Sequence, residues 1–425
     1  MTNPLMGGVT VLYHTSGQGE NGVYSRTADS SGNWMPAVRI SEAPGVIAAW
    51  NQHGAVAGDG RVHAVFMGTL ASWDGELFYS TQNPTDGAWS PPVQLTMNAE
   101  IFGPDMPYSW VAPVAIAIDP QDHPHIIWAD YRGNNPTFYQ LYHDGEDWTP
   151  ETLIETPSSS PKSLYLLYDS AGIGYLLWNQ PDDDSIYMMK STGSIWSQPV
   201  LVSITSTYPD LSVTMDSQDN LHMVYNAPNG DDVSYRKYDE TTWSDAEVIL
   251  LDSQSFGKTP LIASTPGNGL HVLRMFSYQI YETVYNDMSW SSWNPLTSGL
   301  AARYIAFSSL DFALDSSGAR LLVWEQITGS YFYYLSTTLD IIFLSSNRDP
   351  KLLPSRPIVS DDGATTGDPS SLHVSWSSSH ASGIAEYEYS IGKAPGEADL
   401  RYWLPVGTDT FENFCREFWG RESII

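Results

Sequence analysis

Tryptophan and tyrosine beside aspartate are the side chains with which proteins grip sugars. The ring lies on the apolar face of a pyranose while carboxylates accept its hydroxyl hydrogens. Such groupings occur in this 425-residue sequence at Trp73-Asp74, Trp110 and Asp130-Tyr131-Arg132, with Tyr208, Asp210, Lys258, Arg274, Arg303 and Tyr304 as further members. The same residue types would serve a protein interface equally well. Arg132, Arg274 and Arg303 could converge as an anion clamp, because a guanidinium binds a carboxylate through two parallel hydrogen bonds. Catalysis on a glycan would need two carboxylates about 5–10 Å apart, or a Tyr or His base beside an Arg. Glu325, Asp130 and Asp210 are the candidates for that work. Asp182, Asp183 and Asp184 could bind calcium, but an acidic loop of this kind reads first as solvated surface, and no cofactor is required.

These residues must be positioned by something, and the sequence supplies a repeat. One unit is an acidic or small residue, then His or an equivalent six residues on, then an aromatic three further on. Asp119, His125 and Trp128 show it, as do Asp216, His222 and Tyr225, and Asp169, Tyr175 and Trp178. Ala57, His63 and Phe66, then Thr265, His271 and Arg274, then Asp315, Leu321 and Trp324 keep the spacing, and Thr10 with Tyr13 opens the chain in the same pattern. Arg274 is the sharpest departure, a cation where the other copies place an aromatic. It reads either as a ligand-gripping group or as a structural one, a buried ion pair or a side chain snorkelling to solvent, the structural outcomes being the commoner. A His repeated at one scaffold position reads as a structural hydrogen-bonder. Asp119-x-x-Asp122 and Asp216-x-x-Asp219 read as Asx-turns of hairpins.

A second unit follows each of these: an alternating Tyr-rich run, a turn, and a Trp. Asp86-Gly87-Ala88-Trp89, Asp144-Gly145-Glu146-Asp147-Trp148 and Thr192-Gly193-Ser194-Ile195-Trp196 are copies, and Trp34, Trp243 and Trp290 hold the same place. Four short strands per period of roughly 45 residues define a propeller blade. Such a blade cannot bury both faces alone, so neighbours must stack around an axis. The first copy begins at its second strand, and the last, near residues 304–346, lacks the Gly-turn and Trp. Either the chain continues upstream or the run Ile341-Ile342-Phe343-Leu344 helps to close the ring.

The Gly-turn-Trp unit resembles a degenerate Asp-box (Ser-x-Asp-x-Gly-x-x-Trp) of the sialidase-like, BNR-repeat propellers, most closely at Thr27, Asp29, Gly32 and Trp34. The resemblance covers about residues 7–346 and implies architecture. Asp-boxes are structural turns, and the Arg-Ile-Pro motif of true sialidases is absent, so no sialidase role is carried to any position. From Pro357, Ser371-Leu372-His373-Val374-Ser375-Trp376 and Ser382 to Gly392 resemble the first half of a fibronectin type III-like module.

Composition sets the outer bounds. Forty-nine acidic residues against 19 basic give a formal charge of −30, which repels nucleic acid and anionic lipid. Cys415 is the only cysteine, so no internal disulfide or CxxC-type site forms. No run is long and apolar enough to span a membrane, and Met1-Thr2-Asn3-Pro4 does not read as an export signal.

The expectation is therefore an all-β chain. It comprises a seven-bladed β-propeller of four-stranded blades over residues 1–346, a linker at 347–356, a truncated C-terminal β-sandwich module over 357–411, and an unassigned tail at 412–425. The expected function is a non-catalytic recognition module of a secreted or cell-surface protein, binding glycan or protein through the propeller's loop face. It would be a monomer or part of a larger multidomain chain, with no nucleic-acid partner and no membrane insertion. The alternative is a sialidase-like glycoside hydrolase or a polysaccharide lyase acting on extracellular glycans.

Overall fold

A computed structural model of the chain describes residues 2–3, 8–15, 21–28, 34–70, 75–97, 99, 113–132, 135–205, 210–229, 232–249 and 260–276. It further describes 279–285, 289–296, 305–314, 320–328, 338–345, 358–361, 371–377, 388–391, 401–405 and 411–415. The chain divides into two units, Met1–Leu344 and Ser345–Ile425.

The first unit is a β-propeller of antiparallel four-stranded blades. Blade 1 joins Thr2–Asn3, Gly8–Thr15, Gly22–Ala28 and Val38–Arg39; blade 2 joins Val46–Val56, Val62–Leu70, Gly75–Gln82 and Val93–Gln94. Blade 3 joins Val114–Ile118, Pro124–Asp130, Thr137–Tyr142 and Thr152–Glu155. Blade 4 joins Leu164–Tyr168, Ile173–Gln180, Ser185–Thr192 and Val200–Ile204, with the short Ile195–Trp196 beside its third strand. Blade 5 joins Leu211–Met215, Leu221–Asn226, Val233–Tyr238 and Glu247–Ile249; blade 6 joins Leu261–Ser264, Leu270–Phe276, Gln279–Tyr285 and Asn294–Pro295. From blade 2 to blade 6 the first strand of each touches the first strand of the next, and that of blade 6 touches Ile305–Leu314.

Six blades are four-stranded, not the seven expected. The seventh repeat forms a three-stranded sheet, Ile305–Leu314, Arg320–Thr328 and Thr338–Ser345. This repeat lacks the Gly-turn and Trp from which the outer strand hangs in the others. Blade 1 carries the complementary defect: its first strand is only Thr2–Asn3, paired with Gly8 and Val9.

The repeated residues explain why these sequences form blades. In blades 3, 4 and 5 the turn Asp closes the first hairpin with one carboxylate oxygen. Asp119 Oδ1 accepts the backbone N–H of Gln121 and His123 at 2.9 and 2.8 Å; Asp169 accepts those of Ala171 and Ile173; Asp216 accepts those of Gln218 and Asn220. The other oxygen takes the residue six positions on: His125 Nε2 at 3.1 Å, the Tyr175 hydroxyl at 3.0 Å and His222 Nε2 at 3.0 Å. A carboxylate only accepts, so His222 carries its proton on Nε2, and Nδ1 accepts the Tyr235 hydroxyl at 2.8 Å. The recurrent His is therefore scaffold. The fourth turn residue has positive φ every time: Gly60, Asp122, Gly172, Asp219 and Asn268. That conformation favours Gly, Asn and Asp. Three of these side chains also reach the preceding blade, Asp122 to Gly58, Asp219 to Ser170 and Asn268 to Ser217.

The tryptophans are equally regular. Trp34, Trp89, Trp148, Trp243 and Trp290 each make a single antiparallel bridge to the end of the third strand, and Trp196 pairs there with Ser191. Three of them meet the preceding blade. Trp148 meets Tyr79 edge-on at 4.7 Å, Trp290 meets Tyr235 at 5.2 Å, and Trp196 Nε1 donates to Gln140 Oε1 at 2.7 Å. From blade 2 to blade 6 a Ser or Thr follows the Trp. Its hydroxyl accepts a third-strand N–H: Thr81 to Ser90, Tyr142 to Thr149, Lys190 to Ser197, Lys237 to Ser244 and Val284 to Ser291.

Blade 2 shows what the turn Asp contributes. Ala57 stands in its place, and among the described residues His63 Nε2 is buried without a hydrogen-bond partner. Burial, with Arg61 adding to it, pushes the His63 pKa from 6.5 down to about 4. The unfolded chain therefore takes up this proton first. The contribution is complete above pH 6.5 and is lost as pH falls towards 4, amounting to about 3 kcal/mol. Ala57→Asp should give His63 its acceptor, raise its folded pKa and shrink the loss. Thermal melts of both proteins at pH 7 and pH 4.5 check this; equal acid losses would refute it.

The second unit contains two small antiparallel sheets. Ser371–Ser377 pairs with Ile358–Asp361 and with Phe411–Cys415, and Glu388–Ile391 pairs with Arg401–Pro405. The boundary drawn at 411 falls inside a strand: Phe411–Cys415 completes the three-stranded sheet, with Cys415 opposite Ser371.

Candidate functional site

Asp130 ends the second strand of blade 3, and Tyr131 and Arg132 follow it. Asp130 is wholly buried. It accepts Trp128 Nε1 at 3.2 Å, the Arg132 backbone N–H at 2.9 Å and Arg132 Nη2 at 2.7 Å. Burial acts to raise its pKa, but the Arg132 hydrogen bonds outweigh it and hold the carboxyl below its usual range. Arg132 also forks onto Glu151, at 2.5 and 3.0 Å, and lies 4.4 Å over the Tyr139 ring. Glu151 and Asp130 together hold it firmly protonated. The Tyr131 hydroxyl donates to Ser160 Oγ at 2.7 Å.

Arg274 is 0 % exposed. It occupies the scaffold position held elsewhere by Phe66, Trp128, Trp178 and Tyr225, each 0–1 % exposed. A guanidinium there lies inside the packed blades, away from any open face. Arg132 is held by two carboxylates. Asp210 sits half-buried just ahead of the first strand of blade 5. Asp182 and Asp183 lie in a 3₁₀ turn, and Asp183 accepts the Tyr187 hydroxyl at 2.9 Å. No group of three or more His, Cys, Asp or Glu side chains among the described residues could hold a metal ion. Trp73, Asp74, Trp110, Tyr208, Lys258, Arg303 and Tyr304 lie outside the described residues, as does the side chain of Glu325 in Arg320–Thr328.

The structure instead shows a cavity of about 530 Å³, lined by first-strand residues of blades 2, 3 and 4, by Gly8–Thr15 of blade 1 and by the seventh sheet. Its position follows from the repeat. Four residues before each turn residue stand His53, Ala115, Tyr165, Ser212, Leu261 and Asp311. They pair with Val65, Ile127, Leu177, Val224, Leu273 and Val323, in every case the residue two beyond the recurrent His or its equivalent. These six positions are therefore equivalent and form one level around the axis. His53, Ala115, Tyr165 and Asp311 line the cavity, and Asp311 is the only carboxylate among its described lining residues.

Blade 2 is altered at this place. Its first strand carries a one-residue bulge between Trp50 and His53, with Asn51 in the left-handed region at φ 52°. A bulge re-aims the side chains beside it, and bulges are over-represented next to functional sites. Asn51, Gln52 and His53 all line the cavity, and Lys162 joins them from the approach to blade 4. His53 is open to the cavity; desolvation by the surrounding protein lowers its pKa, with Asp311 acting in the opposite direction. Burial pushes the Tyr165 hydroxyl up to about 12; a hydrogen bond with Ser212 opposes the shift, while Asp311 and Asp210 add to it. Tyr165 thus stays a protonated donor across the ordinary pH range. The sequence reading missed this belt, although counting back four residues from each turn would have found it.

No family model and no curated protein matches the sequence. Among solved structures, the chain is similar to the BP39L lectin from Burkholderia pseudomallei, at 12% identity and TM-score 0.54 over 78% of this chain and 95% of that one. It is also similar to polysaccharide lyase Uly1, at 9% identity and TM-score 0.49 over 80% and 87% of the two chains. The intramolecular trans-sialidase from Ruminococcus gnavus aligns at 9% identity and TM-score 0.45 over 66% and 91%. At such identity the lectin likeness establishes the β-propeller fold alone. No helix among the described residues is long and apolar enough to cross a membrane.

Proposed function

We propose that the protein is a carbohydrate-recognition module of a secreted or cell-surface protein, and that it binds without catalysis. The observation that carries this reading is the axial cavity, which sets amide, imidazole, phenol and carboxylate groups against aliphatic walls around a single described carboxylate. A two-carboxylate hydrolase needs a second acid across the pocket. Asp130, a candidate for that role, is buried and committed to Arg132. The cavity lies within the ~300–1,000 Å³ range of small-ligand sites. The name of the lectin with the same fold agrees with this reading.

A glycan array probed with the full chain, with parallel assays for reducing sugar and unsaturated product, tests the proposal. Retention of a defined set of glycans without product is expected. Product release would overturn the non-catalytic reading, and retention of no glycan would overturn recognition itself.

A further inference from the structure

We infer that the axial level bearing His53, Tyr165 and Asp311 is the sugar-binding level, and that it selects a neutral sugar unit over an acidic one. This rests on the carbohydrate reading above and deepens it.

The scaffold behind the level is uniform. Val65, Ile127, Leu177, Val224 and Leu273 are all buried, so the blades need only an aliphatic behind each inward residue. The inward residue is what varies, and a repeat that leaves one position free is where a ligand can set the residue type. Three of the six equivalent positions are large polar groups. All three line the cavity, whereas Ser212 and Leu261 are not among its lining residues. The bulge adds Asn51 and Gln52 beside them.

A pyranose presents hydroxyls that both donate and accept, around apolar C–H faces. Asp311 only accepts and can take two hydroxyl protons. Tyr165 can donate its phenolic proton and offers a ring face. Neutral imidazole and the two amides each supply a donor and an acceptor. The charge pattern decides the class. Asp311 would stand against a uronate or sialate carboxylate, and the chain's charge of −30 adds a repulsive field. Among the described lining residues the opposing cation is Lys162, a flexible point charge without the fork that reads a carboxylate. The two described guanidiniums proposed for that task are otherwise placed, Arg132 on Asp130 and Glu151, and Arg274 inside the blades.

The test is equilibrium binding of the full chain to methyl glycosides of glucose, galactose, mannose and fucose, against methyl glucuronide and the methyl glycoside of sialic acid. Binding of at least one neutral glycoside and none of the acidic pair is expected. Asp311→Asn and Tyr165→Phe should each weaken the neutral glycoside about ten-fold, and Asp311→Asn should also relax the exclusion of glucuronide. Both side chains line the cavity, so melting temperatures should stay within a few degrees of the parent and show that the variants fold. Tighter binding of an acidic glycoside overturns the inference. So does neutral binding that neither substitution alters, and in that case carbohydrate recognition stands at another place. If no glycoside and no glycan on the array is bound, the parent reading falls with it.

Discussion

Arg274→Leu should lower unfolding free energy by about 3–5 kcal/mol, the cost of removing one member of a buried polar set, and leave glycan retention unchanged. The expectation follows from position. Arg274 has no solvent exposure and stands three residues after His271, where Phe66, Trp128, Trp178 and Tyr225 fill the seams between blades. A charge at such a place persists only if groups around it compensate its desolvation. Leucine restores apolar volume but strands those groups, so the polar loss outweighs the packing gain. Urea unfolding of the full chain measures the change as a shift in midpoint at constant slope. A preserved midpoint with lost retention would make Arg274 a ligand group after all.

Asp216→Ala should cost a comparable amount, on the order of 4 kcal/mol, because one carboxylate holds several donors at once. Its Oδ1 accepts Gln218 and Asn220 backbone N–H groups, and its Oδ2 accepts Asn220 Nδ2 at 2.8 Å and His222 Nε2 at 3.0 Å. Asn220 and His222 are both buried, so alanine leaves their donors without water or partner. The natural comparison lies within the chain, since the blade with Ala57 at this position leaves His63 Nε2 without a partner among the described residues. Asp216→Asn keeps an acceptor and should recover part of the loss. Equal stability of the alanine and asparagine variants would show that the carboxylate's hydrogen bonds are not what holds the turn.

The blades were legible in the sequence because their signals are local. An Asp that caps its own hairpin, an αL position filled by Gly, Asn or Asp, and a Trp after a turn each depend on a few neighbouring residues. The hydroxyl after each Trp was equally regular at Ser90, Thr149, Ser197, Ser244 and Ser291, but Ser is too common in loops to stand out by type. The blade number was read from the first unit, which occurs in the seventh repeat, while the outer strand depends on the second unit, which that repeat lacks.

Residue type was the weaker guide to the site. Asp130 and Arg132 have the chemistry to grip a ligand, and only the fold shows that they are paired with each other. Arg274 could by type grip a ligand or be structural, and only the fold shows that it is fully buried. The axial belt was hidden for the opposite reason. His53, Tyr165 and Asp311 lie more than a hundred residues apart in the chain, and only the strand register shows that they share one level.

The most direct measurement is a crystal structure of the full chain soaked with the neutral methyl glycoside that it binds. The account predicts an intact glycoside in the axial cavity, with hydroxyls within hydrogen-bonding distance of Asp311 and Tyr165. A glycoside bound only outside that cavity, or one found cleaved, would contradict it.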